Sequence, residues 1–237
     1  MSNPDQNIQF FRRRRHGPEA KIEDSVVSRL DKLFPLDTNL SWTAGSLPIG
    51  AGVPDIMVVA FRPEVYALCN VNLPKSQLLA YLRAIPRARA ETIADRLKQP
   101  REILIRCLQN LVEFEIVQER GGVYQLSECW KDILPDITTV EVKVSDWKKA
   151  VVQASRNRVF AHRSYIAMPH GVALRIKDHE LFKLLGIGIL SVDQHGGVNA
   201  IRLGRRCQPR VWDYYYKIAE LTAQHVSGRT DAVYSEH

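Results

Sequence analysis

Apolar residues recur at helical or strand spacing in several separate stretches, and these patterns predict the elements of the chain. A helix is predicted over 18–34, where apolar residues return every three or four positions; Pro18 suits its first turn and Pro35 its end. Glycine and proline are frequent in 36–52, which is typical of a loop. The apolar run 53–61 then predicts a mostly buried strand.

The segment 72–128 has a different pattern, with three short helices followed by a hairpin. The helices are predicted over 75–85, 90–97 and 100–113. Two short apolar strands, 116–119 and 123–126, flank the pair Gly121-Gly122, which is a strong turn signal. Three helices followed by a two-stranded wing resemble a winged helix-turn-helix domain.

After residue 135 the chain alternates between strand and helix patterns. Strands are predicted over 138–144, 165–168, 187–193 and 198–203, and helices over 146–162, 178–185 and 210–225. Alternation of this kind predicts an α/β layer in which some strands are parallel.

Composition limits the class of protein. The chain has 237 residues, of which 45% are apolar and 25% charged, which predicts one and a half to two domains and excludes a disordered, collagen-like or coiled-coil chain. No apolar stretch is long enough to span a membrane, and no signal-peptide pattern is present. The four cysteines form no CxxC pair, so a zinc cluster is not expected. Scattered cysteines without a secretion signal are typical of a reducing compartment, so we expect a cytoplasmic location.

The net charge is +7, and the basic residues are clustered within 12–21, 83–106 and 143–163. A clustered basic excess favours a nucleic-acid partner, although solvated helix faces are the simpler alternative. We assign the helix 100–113 to recognition of the major groove. The residues assigned to nucleic-acid binding are Arg13, Arg14, Arg87, Arg89, Arg96, Lys98, Arg101 and Arg106.

Candidate chemistry is concentrated on one predicted strand. Glu141 and Lys143 are two residues apart and therefore share a face, while Val140, Val142 and Val144 occupy the other. An edge strand with one solvated face would explain this pattern without any function.

Three further polar residues interrupt apolar patterns. Asp55 follows Pro54 at the start of the first apolar strand. Glu23 falls on the apolar stripe of the first helix, where a carboxylate needs a partner or a metal, and Glu19 one turn earlier is its alternative. Gln153 lies about two turns into the helix that follows Lys143.

Together these residues resemble the PD-(D/E)XK nuclease superfamily, whose core is restriction-endonuclease-like. The matching residues are Pro54-Asp55, Glu141-Val142-Lys143, Glu23 and Gln153. The resemblance implies an α/β fold with a mixed sheet flanked by helices, in which the aspartate and the Glu-x-Lys lie on neighbouring strands. Here Asp55 and Glu141 are 86 positions apart in sequence, and an inserted winged helix accounts for that distance.

The domain organisation follows from this resemblance. A basic, disordered arm is expected over 1–17, and the nuclease-like α/β core over 18–66 and 133–237. The winged helix-turn-helix insertion is expected over 67–132.

The resemblance also implies a function, the Mg²⁺- or Mn²⁺-dependent hydrolysis of phosphodiester bonds in double-stranded DNA. Asp55, Glu141 and Glu23 would supply hard oxygen ligands to the metal. Lys143 would hold the attacking water, and Gln153 would orient the lysine or a phosphate. No small-molecule cofactor is expected, and a homodimer is left open.

Two other function classes remain at this point, a DNA-binding transcriptional regulator with an inactive core and a protein–protein module.

Other residues are weaker candidates. His162, His170 and His179 lack the spacing of a metal site. Trp212 and 214–216 could stack on bases, but an aromatic cluster on a terminal helix is more typical of a core.

Overall fold

The computed structural model describes residues 8–13, 16–35, 40–71 and 75–234, with side chains as far as residue 227. The predicted nucleic-acid contact Arg14 lies outside the described residues. The fold is mixed α/β and divides into two units. Unit 1 comprises 1–60 with 136–210, and unit 2 comprises 61–135 with 211–237.

Unit 1 is built on a seven-stranded mixed sheet flanked by helices. Its strands are β1 (Gln9–Phe10), β2 (Ser41–Gly45), β3 (Ile56–Ala60), β7 (Asp136–Val142), β8 (Arg163–Pro169), β9 (Gly188–Val192) and β10 (Val198–Arg202). They lie in the order β1-β2-β3-β7-β8-β9-β10. The pairs β7–β8 and β8–β9 are parallel, and β3 pairs antiparallel with β7.

Helices cover both faces of this sheet because the strands of its centre are apolar on both sides. The helices are α1 (Pro18–Val27), α2 (Leu30–Leu33), α6 (Trp147–Asn157), α7 (His170–Ile176) and α8 (Glu180–Leu185). Ile22 and Val26 of α1 pack with Val140 and Val142 on one face. Met168 and its neighbours pack against α6, α7 and α8 on the other. Full burial of each such side chain contributes about 1.5–3 kcal/mol.

Unit 2 contains three helices, a small sheet and one long helix. Its elements are α3 (Ser76–Ala84), β4 (Ala88–Arg89), α4 (Ala90–Leu97), α5 (Arg101–Glu113), β5 (Val117–Arg120), β6 (Val123–Leu126) and α9 (Trp212–Tyr234). Two 3₁₀ helices, Pro63–Asn70 and Glu128–Asp132, flank these elements in the chain. The sheet has the order β4-β6-β5, and Gly121 and Gly122 form its hairpin turn with positive φ angles of 60° and 76°.

The long helix α9 differs from the domain organisation expected from the sequence, because it belongs to unit 2 and not to the sheet. Its buried aromatic residues explain the placement. Tyr215 Oη donates to Leu134 O at 3.2 Å, and Tyr216 Oη donates to Trp130 O at 3.0 Å.

Several local expectations also need correction. The predicted helix 18–34 is interrupted after α1, and the segment 36–52 contains strand β2. The arm 1–17, expected to be disordered, contributes strand β1. A Cβ on Gly45 would lie 2.4 Å from the Phe10 ring, so β1 requires a glycine on its partner strand. Strands as short as β1 and β2 contain too few residues for an alternating apolar pattern to predict them.

Among the described residues, no helix is both long and apolar enough to cross a membrane.

Candidate active site

The pairing of β3 with β7 brings two distant carboxylates together. Ile56 is opposite Val140, so the preceding residue Asp55 lies beside Glu141 at the end of the strand pair. The backbone N–H of Val142 donates to Asp55 Oδ2 at 2.7 Å. This hydrogen bond fixes the Asp55 carboxylate at the carboxyl end of β7.

Lys143 lies between two acids. Its Nζ is 3.5 Å from Asp55 Oδ2 and 3.8 Å from Glu19 Oε2, and it donates to Val142 O at 2.6 Å. The side chain is only 13% exposed, whereas that of Glu19 is 48% exposed. The lysine is therefore a largely buried cation whose nearer acidic partner is Asp55.

Glu141 is almost completely buried, at 1% exposure. Asn157 Nδ2 donates to its Oε1 at 2.6 Å, while Oε2 has no hydrogen-bond partner among the described residues. Burial, followed by the like charge of Asp55, raises the pKa of Glu141 to about 8, although Asn157 and Lys143 act in the opposite direction. When protonated, Glu141 can donate a hydrogen bond to Asp55, which raises this pKa further.

Helix α6 holds Asn157 in place. The side chain of Asp146 caps the helix by accepting from the N–H of Lys149 at 3.0 Å. Gln153 lies one turn before Asn157 and on the same face, and its Oε1 is also buried without a partner among the described residues. A Cβ on Gly52 would lie 2.6 Å from Asn157 Oδ1, so the loop before Asp55 packs closely against Asn157.

The edge-strand explanation of the Glu-x-Lys pattern is wrong. Strand β7 lies between β3 and β8 in the middle of the sheet, and Glu141 is buried on it. A charged residue in such a position requires compensation, which points to function.

The structure also distinguishes the two acids of α1. Glu19 lies within ion-pair distance of Lys143, as described above. Glu23, one turn later, is half-buried, and the buried stripe of the helix runs through Ile22 and Val26 instead. Glu19 therefore contacts this site through Lys143.

The donor set suits a hard divalent cation. Asp55 and Glu141 offer carboxylate oxygens, and the unpartnered Glu141 Oε2 is an open acceptor. No group of three or more His, Cys, Asp or Glu residues among the described parts of the chain could hold a metal ion. Mg²⁺ commonly uses one or two carboxylates and takes its other ligands from water and phosphate, so two carboxylates fit it.

The three singled-out histidines have other surroundings. His162 is buried and accepts from the N–H of Ile137 at 3.0 Å, and burial with the neighbouring Arg206 and Arg163 lowers its pKa to about 3. His170 Nδ1 lies 2.8 Å from Ser191 Oγ. His179 accepts from the N–H of Leu181 at 3.3 Å and helps to begin α8.

Most of the predicted nucleic-acid contacts that the structure describes are exposed and lie on unit 2. Arg101 forms an ion pair with Glu91 at 2.5 Å, which offsets part of its charge. The other exposed residues are Arg13, Arg87, Arg89, Arg96, Lys98 and Arg106, of which only Arg13 belongs to unit 1.

The aromatic cluster of α9 is mainly structural. Tyr215 and Tyr216 are buried, so they cannot stack on bases. Trp212 instead lies under the guanidinium of Arg83, with 4.5 Å from Cζ to the ring centroid.

The sequence analysis missed two features of the candidate site and its surroundings. Asn157 donates a hydrogen bond to the buried carboxyl group of Glu141. The four arginines of 202–210 form a further basic segment. Asn157 lies on the apolar stripe formed by Ala150 and Ala154, and a polar residue in that position could have indicated a buried polar contact. The second feature could have been found from its arginines and its lack of acidic residues.

Comparison of the chain with protein-family models, curated proteins and solved structures finds no match.

Proposed function

We propose that this chain is a DNA-binding endonuclease that hydrolyses phosphodiester bonds with Mg²⁺ or Mn²⁺, and that its core is of the PD-(D/E)XK type. One observation carries the proposal. Asp55, Glu141 and Lys143 converge at the carboxyl end of β7, although Asp55 is 86 positions from Glu141 in sequence.

The order of elements supports the same conclusion. The resemblance requires the aspartate and the Glu-x-Lys on neighbouring strands, and β3 pairs directly with β7. It also requires a helix after the Glu-x-Lys strand and then a strand beside it. Helix α6 and strand β8 occupy those positions, and β8 is parallel to β7.

Each residue has a physical role in this proposal. Asp55 and Glu141 would hold the cation, which when bound would polarise the phosphate and a water molecule. Lys143 would orient the attacking water and stabilise the negative charge that develops on the phosphate. Asn157 holds one Glu141 oxygen and leaves the other available.

Unit 2 supports duplex DNA as the substrate. Its order of helix α3, strand β4, helices α4 and α5 and hairpin β5–β6 resembles a winged helix-turn-helix domain. In such a domain α5 would enter the major groove, and the hairpin would contact the backbone. Arg106 on the exposed face of α5 has no ion pair with any described residue and is the first residue to test.

A transcriptional regulator with an inactive core is the second candidate, and one observation favours it. Lys143 is already engaged by Asp55 and by Val142 O, so the charges of the site are partly compensated without a metal. In this case the core would only support a DNA-binding domain.

A plasmid-nicking assay with Mg²⁺ or Mn²⁺ separates the two candidates. The endonuclease should convert supercoiled plasmid to nicked or linear forms, and Lys143→Ala should abolish this conversion. Lys148→Ala is the matched control, because Lys148 is an exposed lysine of α6 outside the site. Absence of nicking by the wild type with either metal, together with intact DNA binding, would refute the endonuclease and leave the regulator as the better candidate.

A further inference from the structure

The segment 202–210 of unit 1, here called the arginine strap, contains four arginines and no acid. It follows β10 and has no regular secondary structure over 203–209. Three backbone hydrogen bonds hold it, from Arg205 N to Gly186 O at 2.9 Å, Cys207 N to His162 O at 3.0 Å and Arg210 N to Val159 O at 2.9 Å. Its backbone is therefore fixed against unit 1.

The strap projects its charges outward. Arg205, Arg206 and Arg210 are exposed. The side chains of Arg205 and Arg210 form no hydrogen bond or ion pair with any residue that the structure describes. Because the backbone of the segment is already fixed, it loses little backbone entropy when its guanidinium groups bind an anion.

Neighbouring residues increase the positive charge. The buried Arg158 donates to Gly186 O at 2.8 Å, beside the strap. Arg163 at the start of β8 forms an ion pair with Asp136, and Arg206 Nε lies 3.8 Å from the same carboxylate. Asp136 is thus shared by two arginines and cannot neutralise the group.

Two of these arginines influence the neighbouring side chain of His162. Arg206 and Arg163 both lower the pKa of His162, after the larger effect of its burial. Arg206 and Arg163 therefore lie near His162, whose carbonyl oxygen also accepts from the N–H of Cys207 in the strap.

The strap and the candidate active site lie at opposite ends of the central strands. Arg163 and Asp136 begin β8 and β7, whereas Glu141 is five residues further along β7. At about 3.3 Å per residue the two ends are roughly 17 Å apart.

We propose that the arginine strap binds the phosphate backbone of duplex DNA. This inference rests on the proposed function. Planar guanidinium groups match phosphate oxygens in pairs, which favours a phosphate ligand for a segment that uses arginine and no lysine. An anionic membrane is less suited, because Leu203 is the only apolar side chain among the strap's residues that is strongly exposed, at 76%.

The test is the salt dependence of binding to a 20-base-pair duplex, followed by fluorescence anisotropy without divalent metal. The variant is Arg205→Gln with Arg210→Gln, because neither side chain has a partner whose loss would disturb folding. The slope of log affinity against log salt should decrease in magnitude by about 1.8, or about 0.9 for each phosphate that is no longer neutralised. The matched control, Arg175→Gln with Lys183→Gln, removes two exposed cations of unit 1 that lie outside the basic clusters, and it should leave the slope unchanged.

Three outcomes would overturn the strap proposal. These are an unchanged slope in the strap variant, an equal decrease in the control, and a wild-type protein that binds phosphatidylserine vesicles through these arginines and not duplex DNA. The nicking assay reports separately on the proposed function. A reduced slope without nicking would refute the nuclease proposal and support the strap proposal. Nicking with an unchanged slope would support the nuclease proposal and refute the strap proposal.

Discussion

Asn157 donates a 2.6 Å hydrogen bond to one carboxylate oxygen of Glu141 and leaves the other without a donor. The interaction lowers the pKa of Glu141 against the larger effects of burial and Asp55. The buried carboxylate therefore has a fixed orientation and one open oxygen, which is the arrangement that a metal ligand needs.

Replacement of Asn157 by Ala should shift the pH dependence of nicking. Without the donor the pKa of Glu141 should rise further, so the acidic limb of the rate profile should move to higher pH. Removal of a hydrogen bond to a buried carboxyl group should also destabilise the protein by about 1–3 kcal/mol. Nicking rates from pH 6 to 10 provide the measurement. A profile that keeps its shape, with a uniformly lower rate, would mean that Asn157 has only a structural role.

The stability of the metal-free protein should fall as the pH rises from about 4.5 to 8. Across this range folded Glu141 keeps a proton that the unfolded chain has lost, because its folded pKa is raised to about 8. Stability should then decrease by roughly 1 kcal/mol per pH unit. Urea unfolding at several pH values measures this slope, and Glu141→Gln should remove it.

His162 should produce the opposite trend at lower pH. Its pKa is lowered to about 3 in the folded protein, so the unfolded chain binds a proton that the folded protein does not between about pH 3 and 6.5. Stability should therefore fall as the pH drops from 6.5 towards 3, and His162→Gln should weaken this dependence. Between pH 4.5 and 6.5 the two groups oppose each other, so Glu141→Gln alone should reveal the His162 slope. An unaltered acid limb in His162→Gln would contradict the assignment.

Asp55→Asn should abolish the stabilisation of the protein by Mg²⁺. The substitution removes the negative charge beside Glu141 and keeps an oxygen that can accept from the N–H of Val142. Thermal melting with EDTA and with Mg²⁺ measures this difference, and the wild type should melt a few degrees higher with Mg²⁺. Glu19→Gln removes an exposed acid near Lys143 and should keep the Mg²⁺-dependent increase. The same increase in Asp55→Asn would exclude Asp55 as a ligand.

Unit 1 should fold when residue 60 is joined to residue 136 by a short Asn-Gly-containing turn and the chain ends at residue 210. Ala60 and Asp136 are paired on adjacent strands, so a hairpin turn can replace the residues between them, 61–135. Cooperative thermal unfolding by circular dichroism is the expected result. The matched chain that retains 211–237 should aggregate, because Tyr215 and Tyr216 would lose the residues that bury them. A non-cooperative transition in the shorter chain would refute the independence of unit 1.

The periodic parts of the fold were predictable from the sequence. The alternation of Glu141 and Lys143 with valines correctly placed Glu141 on a strand, although β7 ends at Val142, one residue before Lys143, and α4 has the predicted limits. The proximity of Asp55 came only from the family resemblance, because local patterns do not determine which distant strands pair. The assignment of α9 to unit 2 could not be predicted either. An apolar stripe predicts that one face of a helix is buried, but it does not predict which element buries it.

Asn157 shows what sequence reading overlooked. It continues the buried stripe formed by Ala150 and Ala154, so the argument applied to Glu23 would have selected it too. The arginine strap was missed because it lies outside any periodic element, where only its charge could have indicated it.

The interleaving of the two units along the chain has a consequence for synthesis on the ribosome. The first part of unit 2, 61–135, is made before its last helix α9, and the 75 residues 136–210 of unit 1 separate them. At about 5–20 residues per second, the surfaces that α9 covers remain exposed for roughly 4–15 seconds. Chaperones that hold nascent chains would find their binding surface in unit 2 during this interval, and an arrest of translation within 136–210 would prolong it.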